Sequence, residues 1–217
     1  DAVTDALTKL FNHGQFWALL EQMAAHTLRH GTYLTLIQID VDLFKHYNDT
    51  YGHDQGDVIL RALAEYLRSF CRASDIICRY GGEEFVIIMA ETDIAQALLF
   101  AERFRAGLKT QPVLSAITVS IGISCMVVKA DEKTRSGGYD LKKICAKLYK
   151  LADDQVYRAK HEGRDRVCVA EPFSPLKTRD NRKLFEVLIV EDEEKTAHDI
   201  SHIVQIKGFQ ARIAHTL

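Results

Sequence analysis

Two short β-prone runs, Asp75 to Arg79 and Phe85 to Ala90, stand on either side of Tyr80-Gly81-Gly82. Paired glycines between strand-like runs signal a hairpin, because a tight connection favours residues that accept a positive φ. A hairpin makes its strands antiparallel, which excludes an all-parallel, doubly wound sheet. Glu83 and Glu84 then sit at the hairpin tip.

The rest of the chain alternates between the two periodicities. Residues 15–29, 57–70, 93–108 and 141–161 repeat apolar groups at helical spacing, and Gly31 stops the first run. Tyr33 to Val41, Ile117 to Val128 and Arg166 to Ala170 read as strands, with loops at 42–56 and 131–138. The expected fold is α/β, a mixed central sheet flanked by helices. Composition changes at Glu171: residues 171–183 hold two of the three prolines without periodicity and read as a linker, and a second unit starts at Leu184.

With 217 residues, 47% of them hydrophobic, the chain can bury a full core. A net charge of -2 offers no general attraction to a nucleic acid polymer, so any nucleotide is held locally. Five scattered cysteines without a C-x-x-C pair are read as reduced thiols of a cytoplasmic protein. No stretch reaches the roughly 20 apolar residues of a membrane span, so no membrane contact is expected from this chain. A start at Asp1 without methionine suggests a piece of a longer protein.

Asp40 and Asp42 close the first strand, and Glu83 and Glu84 follow the glycines. If the two strands are neighbours, these acids meet at one sheet edge as hard oxygen ligands suited to magnesium carrying substrate phosphates. Taken singly, each cluster reads as solvated strand-end acids. His26/His30 and His198/His202 are spaced i,i+4, but without a third ligand they are read as solvent-facing.

The run from Asp40 to Asp57 (DVDLFKHYNDTYGHDQGD), followed by Arg79-Tyr-Gly-Gly-Glu-Glu-Phe85, resembles the paired signatures of the GGDEF family of diguanylate cyclases. Asp5 to Asn12, Ser120 to Ser124 and Ala152 to Arg164 extend the resemblance over residues 1–170. His13, Lys9 and Leu43 depart from the family pattern, which has arginine, glycine and an aromatic residue there. The resemblance implies a nucleotidyl-cyclase-like fold. It also implies condensation of two GTP into cyclic di-GMP and two pyrophosphates, by a homodimer using magnesium, or manganese in its place.

Carried over by position, the resemblance makes Asp40, the Val41 carbonyl and Glu83 the metal ligands. Glu83, Glu84 and Lys45 form the catalytic set. Phe44, Asn48, His53, Asp57, Gly81, Gly82, Lys160 and Arg164 bind substrate. Asp57 can accept from the N–H edge of guanine and Asn48 can both donate and accept. Asp57 also reads as an acid at a helix N-terminus. Glycine at 81 and 82 leaves room for the nucleotide.

Arg72-Ala-Ser-Asp75 stands where the family has an RxxD product-inhibition site, with Arg103 as its second arginine. Alone, Arg72 and Asp75 read as an i,i+3 ion pair. Phe185 to Glu194 and Gly208 to Ala214 resemble the opening β-α-β of a response-regulator receiver, with Glu191 and Asp192 as its acidic pocket, ending before a phosphoacceptor aspartate. Two other functions stay open: a degenerate module that only binds GTP or cyclic di-GMP, and a cyclase acting on a single nucleotide.

Overall fold

The computed structural model describes residues 3–128, 139–175, 186–190 and 210–214. Five helices are α1 (His13–His30), α2 (Phe44–Tyr51), α3 (His53–Phe70), α4 (Ile94–Leu108) and α5 (Leu141–His161). Five strands, β1 (Tyr33–Val41), β2 (Ile76–Arg79), β3 (Glu84–Ala90), β4 (Val119–Val127) and β5 (Arg166–Val169), form one sheet in the order β2-β3-β1-β4-β5. β1 runs antiparallel to both β3 and β4, whereas β5 joins β4 in parallel. The sheet is therefore mixed, as the glycine hairpin requires. A second sheet pairs β6 (Glu186–Val190) with β7 (Gln210–Ala214) in parallel.

Local chemistry sets the helix ends. The Asn12 carboxamide accepts the Gln15 amide to open α1, and left-handed Gly31 closes it with its N–H on the Thr27 carbonyl. Asp93 and Gln96 open α4 with a reciprocal capping box. The loop expected over 42–56 is instead α2 and the first turn of α3, separated by Gly52 at φ 88°. Eight residues with one buried apolar side chain, Phe44, carry too little periodicity to be read as a helix. The expected loop at 131–138 lies outside the described residues.

Strand alternation divides the interior in two. Ile37, Ile39, Phe85, Ile87, Ile121 and Ile123 pack with α3 and α4 on one face. Leu34, Leu36, Val86, Ile88 and Met126 pack with α1 and α5 on the other. By the same alternation Gln38 and Asp40 face α5.

Gly122 lets α5 come this close. A Cβ there would run into the Ala152 carbonyl oxygen and stand 2.6 Å from the Val156 nitrogen, both backbone atoms that cannot turn away. Ser124 ties the same helix down by donating to the Leu148 carbonyl at 2.7 Å. Gly122→Ala should therefore lift α5 off β4 and cost about 2–3 kcal/mol by the usual range for overpacking, read as a lowered midpoint in urea denaturation.

Candidate active site

The glycine turn is held from behind. Arg79 closes β2 and donates to the Gly82 carbonyl from Nε (3.1 Å) and Nη2 (2.7 Å), while its Nη1 reaches Asp5 Oδ1 at 3.0 Å. Asp5 also accepts the Thr8 amide and hydroxyl at 2.8 and 2.7 Å. Burial raises the Asp5 carboxyl, but the Thr8 and Arg79 hydrogen bonds outweigh it, and the carboxyl lies below its usual range. The spacing Asp5-x-x-Thr8 is a local side-chain-to-backbone motif that signals such a turn in a sequence. Its link to Arg79 had no local signal.

Gly81 and Gly82 do not adopt the positive φ expected of them; among the described residues the positive-φ glycines are Gly31, Gly52 and Gly163. A Cβ on Gly81 would meet Glu84 Oε2 at 2.6 Å, and one on Gly82 would project into open space. At Gly81 a larger residue would press on the Glu84 carboxylate, whereas at Gly82 neither a positive φ nor a close neighbour calls for glycine. The left-handed conformation appears instead at Lys9 (φ 59°), which explains the family's frequent glycine there, and at Leu43 (φ 55°).

Strand pairing brings the acids together: Asp40 is the register partner of Glu84 across β1 and β3, and the Val41 amide donates to the Glu83 carbonyl at 3.3 Å. Asp40 is 5% exposed and receives Lys160 Nζ from α5 at 2.7 Å. Burial raises its carboxyl to about 6; Lys160 pulls the other way, and Glu83 and Glu84 add to the rise. Burial also raises Glu84, with Lys160 opposing and Asp153 and Glu83 adding.

Asp42 does not join this edge. Its carboxylate accepts Thr118 Oγ1 (2.7 Å), Ser120 Oγ (2.6 Å) and the Asp165 amide (3.1 Å), which saturates it as a tie between β1, β4 and the turn after α5. That turn carries Arg164, exposed and left-handed at φ 62°.

On the other side of β1, Phe44 is buried and Asn48 lies over Gly56, where a Cβ would strike the Asn48 carboxamide and come within 3.1 Å of the Phe44 ring. Asn48 Oδ1 is buried with no hydrogen-bond partner, an acceptor without a donor. Asp57 pairs with Arg61 at 3.7 Å. Because α3 begins at His53, Asp57 sits past the first turn and is not the N-terminal acid expected. Lys45 and His53 are exposed.

Away from this edge, Asp75 accepts the Arg72 backbone amide at 2.8 Å, and the Asp75 amide returns to the Arg72 carbonyl at 3.0 Å. The expected side-chain ion pair is thus replaced by a closed turn whose guanidinium stays exposed. Arg103 is exposed on α4, with its charge acting on the Tyr66 hydroxyl of α3. His26 is half-buried and stacks on His30 at 4.3 Å, so only His30 faces solvent as expected; His198 and His202 lie outside the described residues. None of the five cysteines is in a disulfide, and Cys71, Cys78, Cys125 and Cys145 are pushed up to about 12, chiefly by burial. Among the described residues no helix is long and apolar enough to cross a membrane.

Carboxylates thus meet across adjacent strands beside the Lys160 ammonium, with an unpartnered carboxamide acceptor on the other side of β1 and exposed side chains at Lys45 and Arg164. A family model described as "Diguanylate cyclase, GGDEF domain" matches residues 2–166. The response regulator PleD of Caulobacter vibrioides is 40% identical over 173 residues, 76% of this chain and 36% of its own length. Diguanylate cyclase DgcM of Escherichia coli is 38% identical over 168 residues, again 76% of this chain and 38% of its own. The chain thus spans little more than a third of these relatives. Among solved structures, the GGDEF domain of DgcB from Caulobacter crescentus in complex with c-di-GMP superposes with a TM-score of 0.67 at 30% identity, over 79% of this chain and 94% of that one. The active GGEEF domain of a diguanylate cyclase from Vibrio cholerae gives 0.63 at 31% identity, over 74% and 97%. The chain belongs to the diguanylate cyclase GGDEF-domain family.

The raised Asp40 carboxyl has a measurable sign. Because folding lifts it from 3.8 to about 6, the protonated form contributes stability in full below about pH 4, and this fades as pH rises through 6. In chelator, Asp40→Asn should therefore become more stable than the parent as pH goes from 4 to 7. The gap should reach about 1–3 kcal/mol, two pKa units being worth at most about 2.7. Thermal denaturation at a series of pH values checks this.

Proposed function

We propose that this domain condenses two molecules of GTP into cyclic di-GMP and two pyrophosphates, working as a homodimer in which each protomer presents one nucleotide. The observation that carries the reading is the placement of Asp40 opposite Glu84, with the unpartnered Asn48 acceptor on the far side of the same strand end.

In this reading the guanine N–H donors meet Asn48 Oδ1 and the Asp57 carboxylate, which adenine, with an acceptor at N1, would not satisfy. Phe44 and Gly56 fix the Asn48 carboxamide, and His53 stands at the open side of the base. Gly81 and Gly82 let the nucleotide lie on the hairpin, while Lys45, Lys160 and Arg164 face its phosphates. Asp40, the Val41 carbonyl and Glu83 would hold a divalent ion, with magnesium or manganese suiting their hard oxygens. Among the described residues no three His, Cys, Asp or Glu side chains are grouped to hold an ion; in this reading the metal would come in on the substrate phosphates. The ion supplies polarisation of the α-phosphate and charge neutralisation on the leaving pyrophosphate. Glu83 accepts the proton of the attacking 3′-hydroxyl, and Glu84 keeps the turn acidic beside it. Lys160, which neutralises Asp40 in the free protein, contacts phosphate when nucleotide is present.

Product analysis after incubation with GTP and magnesium tests the reading, and also separates it from a binding-only module or a single-nucleotide cyclase. Glu83→Ala should lower the turnover number by about 10²-fold or more, as loss of a charge-stabilising group at a reacting centre does, with an unchanged melting temperature. Full activity in that variant would remove the assignment.

Arg72, Asp75 and Arg103 are read as a product-inhibition site, since guanidinium forks match phosphate and the acceptor edge of guanine while a carboxylate takes its N–H donors. The exposed Arg72 guanidinium supports this. Arg72→Ala should leave initial rates within about twofold and abolish inhibition by added cyclic di-GMP, a test of regulation by initial-rate assay. Residues 184–217 are read as a receiver-like segment after the linker at 171–183. The parallel pairing of β6 and β7 is the arrangement a β-α-β unit requires; the segment expected to be helical between them, with Glu191 and Asp192, lies outside the described residues.

A further inference from the structure

We propose that Tyr149 and Gln38 are positioning residues for the glycine turn: Gln38 orients the Tyr149 ring, and that ring fixes Tyr80, from which Gly81 to Glu84 are suspended. The inference rests on the reading of that turn as the nucleotide-facing surface.

Gln38 is a polar side chain 1% exposed in the middle of the central strand, two residues before Asp40 on the same face. Its Nε2 donates to the Tyr149 hydroxyl at 3.1 Å, while its Oε1 is buried without a partner. An amide half satisfied at that depth weakens the core compared with an apolar residue of similar size. What it adds is a directional hold on one tyrosine.

Tyr149 lies on α5 and stacks on Tyr80, with ring centroids 4.8 Å apart and planes 30° apart. Trp17 and Phe16 of α1 pack on the same ring at 5.3 and 5.9 Å. Tyr80 is the first residue of the turn, and its amide donates to the Glu84 carbonyl at 2.8 Å, closing the loop that carries Gly81, Gly82 and Glu83. Phe16 meets the Tyr80 ring edge-on at 5.3 Å and His13 covers it at 4.4 Å. Besides the Arg79 hold on the Gly82 carbonyl, the turn is thus anchored at a ring gripped on three sides, and Tyr149 is the one of those three contacts hydrogen-bonded to the strand that bears Asp40. Burial, followed by a hydrogen bond with Tyr80, raises the Tyr149 hydroxyl, so it stays protonated and can serve both neighbours. One helical turn further along α5, the Asp153 charge reaches both Tyr149 and Glu84.

This arrangement makes a statement that a packing role alone would not. Removing Gln38 should loosen the turn without weakening the fold, because its loss relieves a buried orphan while freeing the tyrosine. Hydrogen–deuterium exchange of the peptide spanning residues 80–84, in nucleotide-free protein, reads the turn directly. Tyr149→Leu should speed exchange there by about tenfold while α1 and β4 keep their protection, a local and not a global opening. Gln38→Leu should speed it about threefold and Tyr149→Phe, which also gives up the hydrogen bond with Tyr80, at least as much, while the double variant should do no more than Tyr149→Phe alone, since Gln38 acts through that hydroxyl. Gln38→Leu should not lower the melting temperature. With GTP and magnesium, Tyr149→Leu should raise KM about tenfold with kcat within about threefold. Unchanged exchange at 80–84 in Tyr149→Leu, a uniform loss of protection across the sheet, or additive effects in the double variant would each overturn the proposal. The exchange results stand even where the parent protein shows no cyclase product, so failure of the enzymatic reading is distinguishable from failure of this one.

Discussion

The site depends on the pairing of β1 with β3. Those two strands share a register in which Asp40 faces Glu84, and everything else serves to keep that juxtaposition tolerable. Carboxylates on adjacent strands at a dry strand end repel one another and lose water, and both Asp40 and Glu84 show it in raised carboxyls. Lys160 answers the charge from α5. That ammonium arrives only because Gly122 lets the helix settle on β4. A glycine in one strand, a lysine on one helix and an aspartate in another strand are thus parts of a single device, though 38 residues separate Gly122 from Lys160 and 120 separate Lys160 from Asp40.

Much of this was legible in the chain. Strand β1, as a β-prone apolar run, and helix α5, by its helical spacing, fall where the sequence puts them, and the double glycine correctly implies an antiparallel pair. Short α2 was not legible, because one buried side chain in eight residues sets no period. The glycines at 81 and 82 mark the place of the turn but not its dihedral angles, since a sequence shows where a turn falls and not which φ its residues take. Asp42 shows the same limit more sharply. In sequence it is indistinguishable from Asp40, two residues away, yet tertiary contacts with Thr118, Ser120 and Asp165 consume one carboxylate and leave the other with a lone lysine.

Support for the turn reaches back, through Arg79, to the first residues of the domain. Asp5 holds Arg79, and Arg79 holds the Gly82 carbonyl, so the first residues of the domain brace a turn some 75 positions later. On the opposite side Asp42 braces the turn bearing Arg164. Both surfaces that would grip a nucleotide are thereby ordered before it arrives, which lowers the entropy lost when it is bound.

The split interior has a further consequence. The α3/α4 core and the α1/α5 core meet only through the backbone of one sheet, with side chains of β1 pointing alternately into each. Perturbations placed on opposite sides share no side-chain neighbour, so their free-energy effects sum, while two on the same side compete for the same relaxation. Substitutions in the α3/α4 core therefore leave the side-chain packing behind Asp40 and Glu84 undisturbed and act instead on the side that carries Phe44, Asn48 and Asp57.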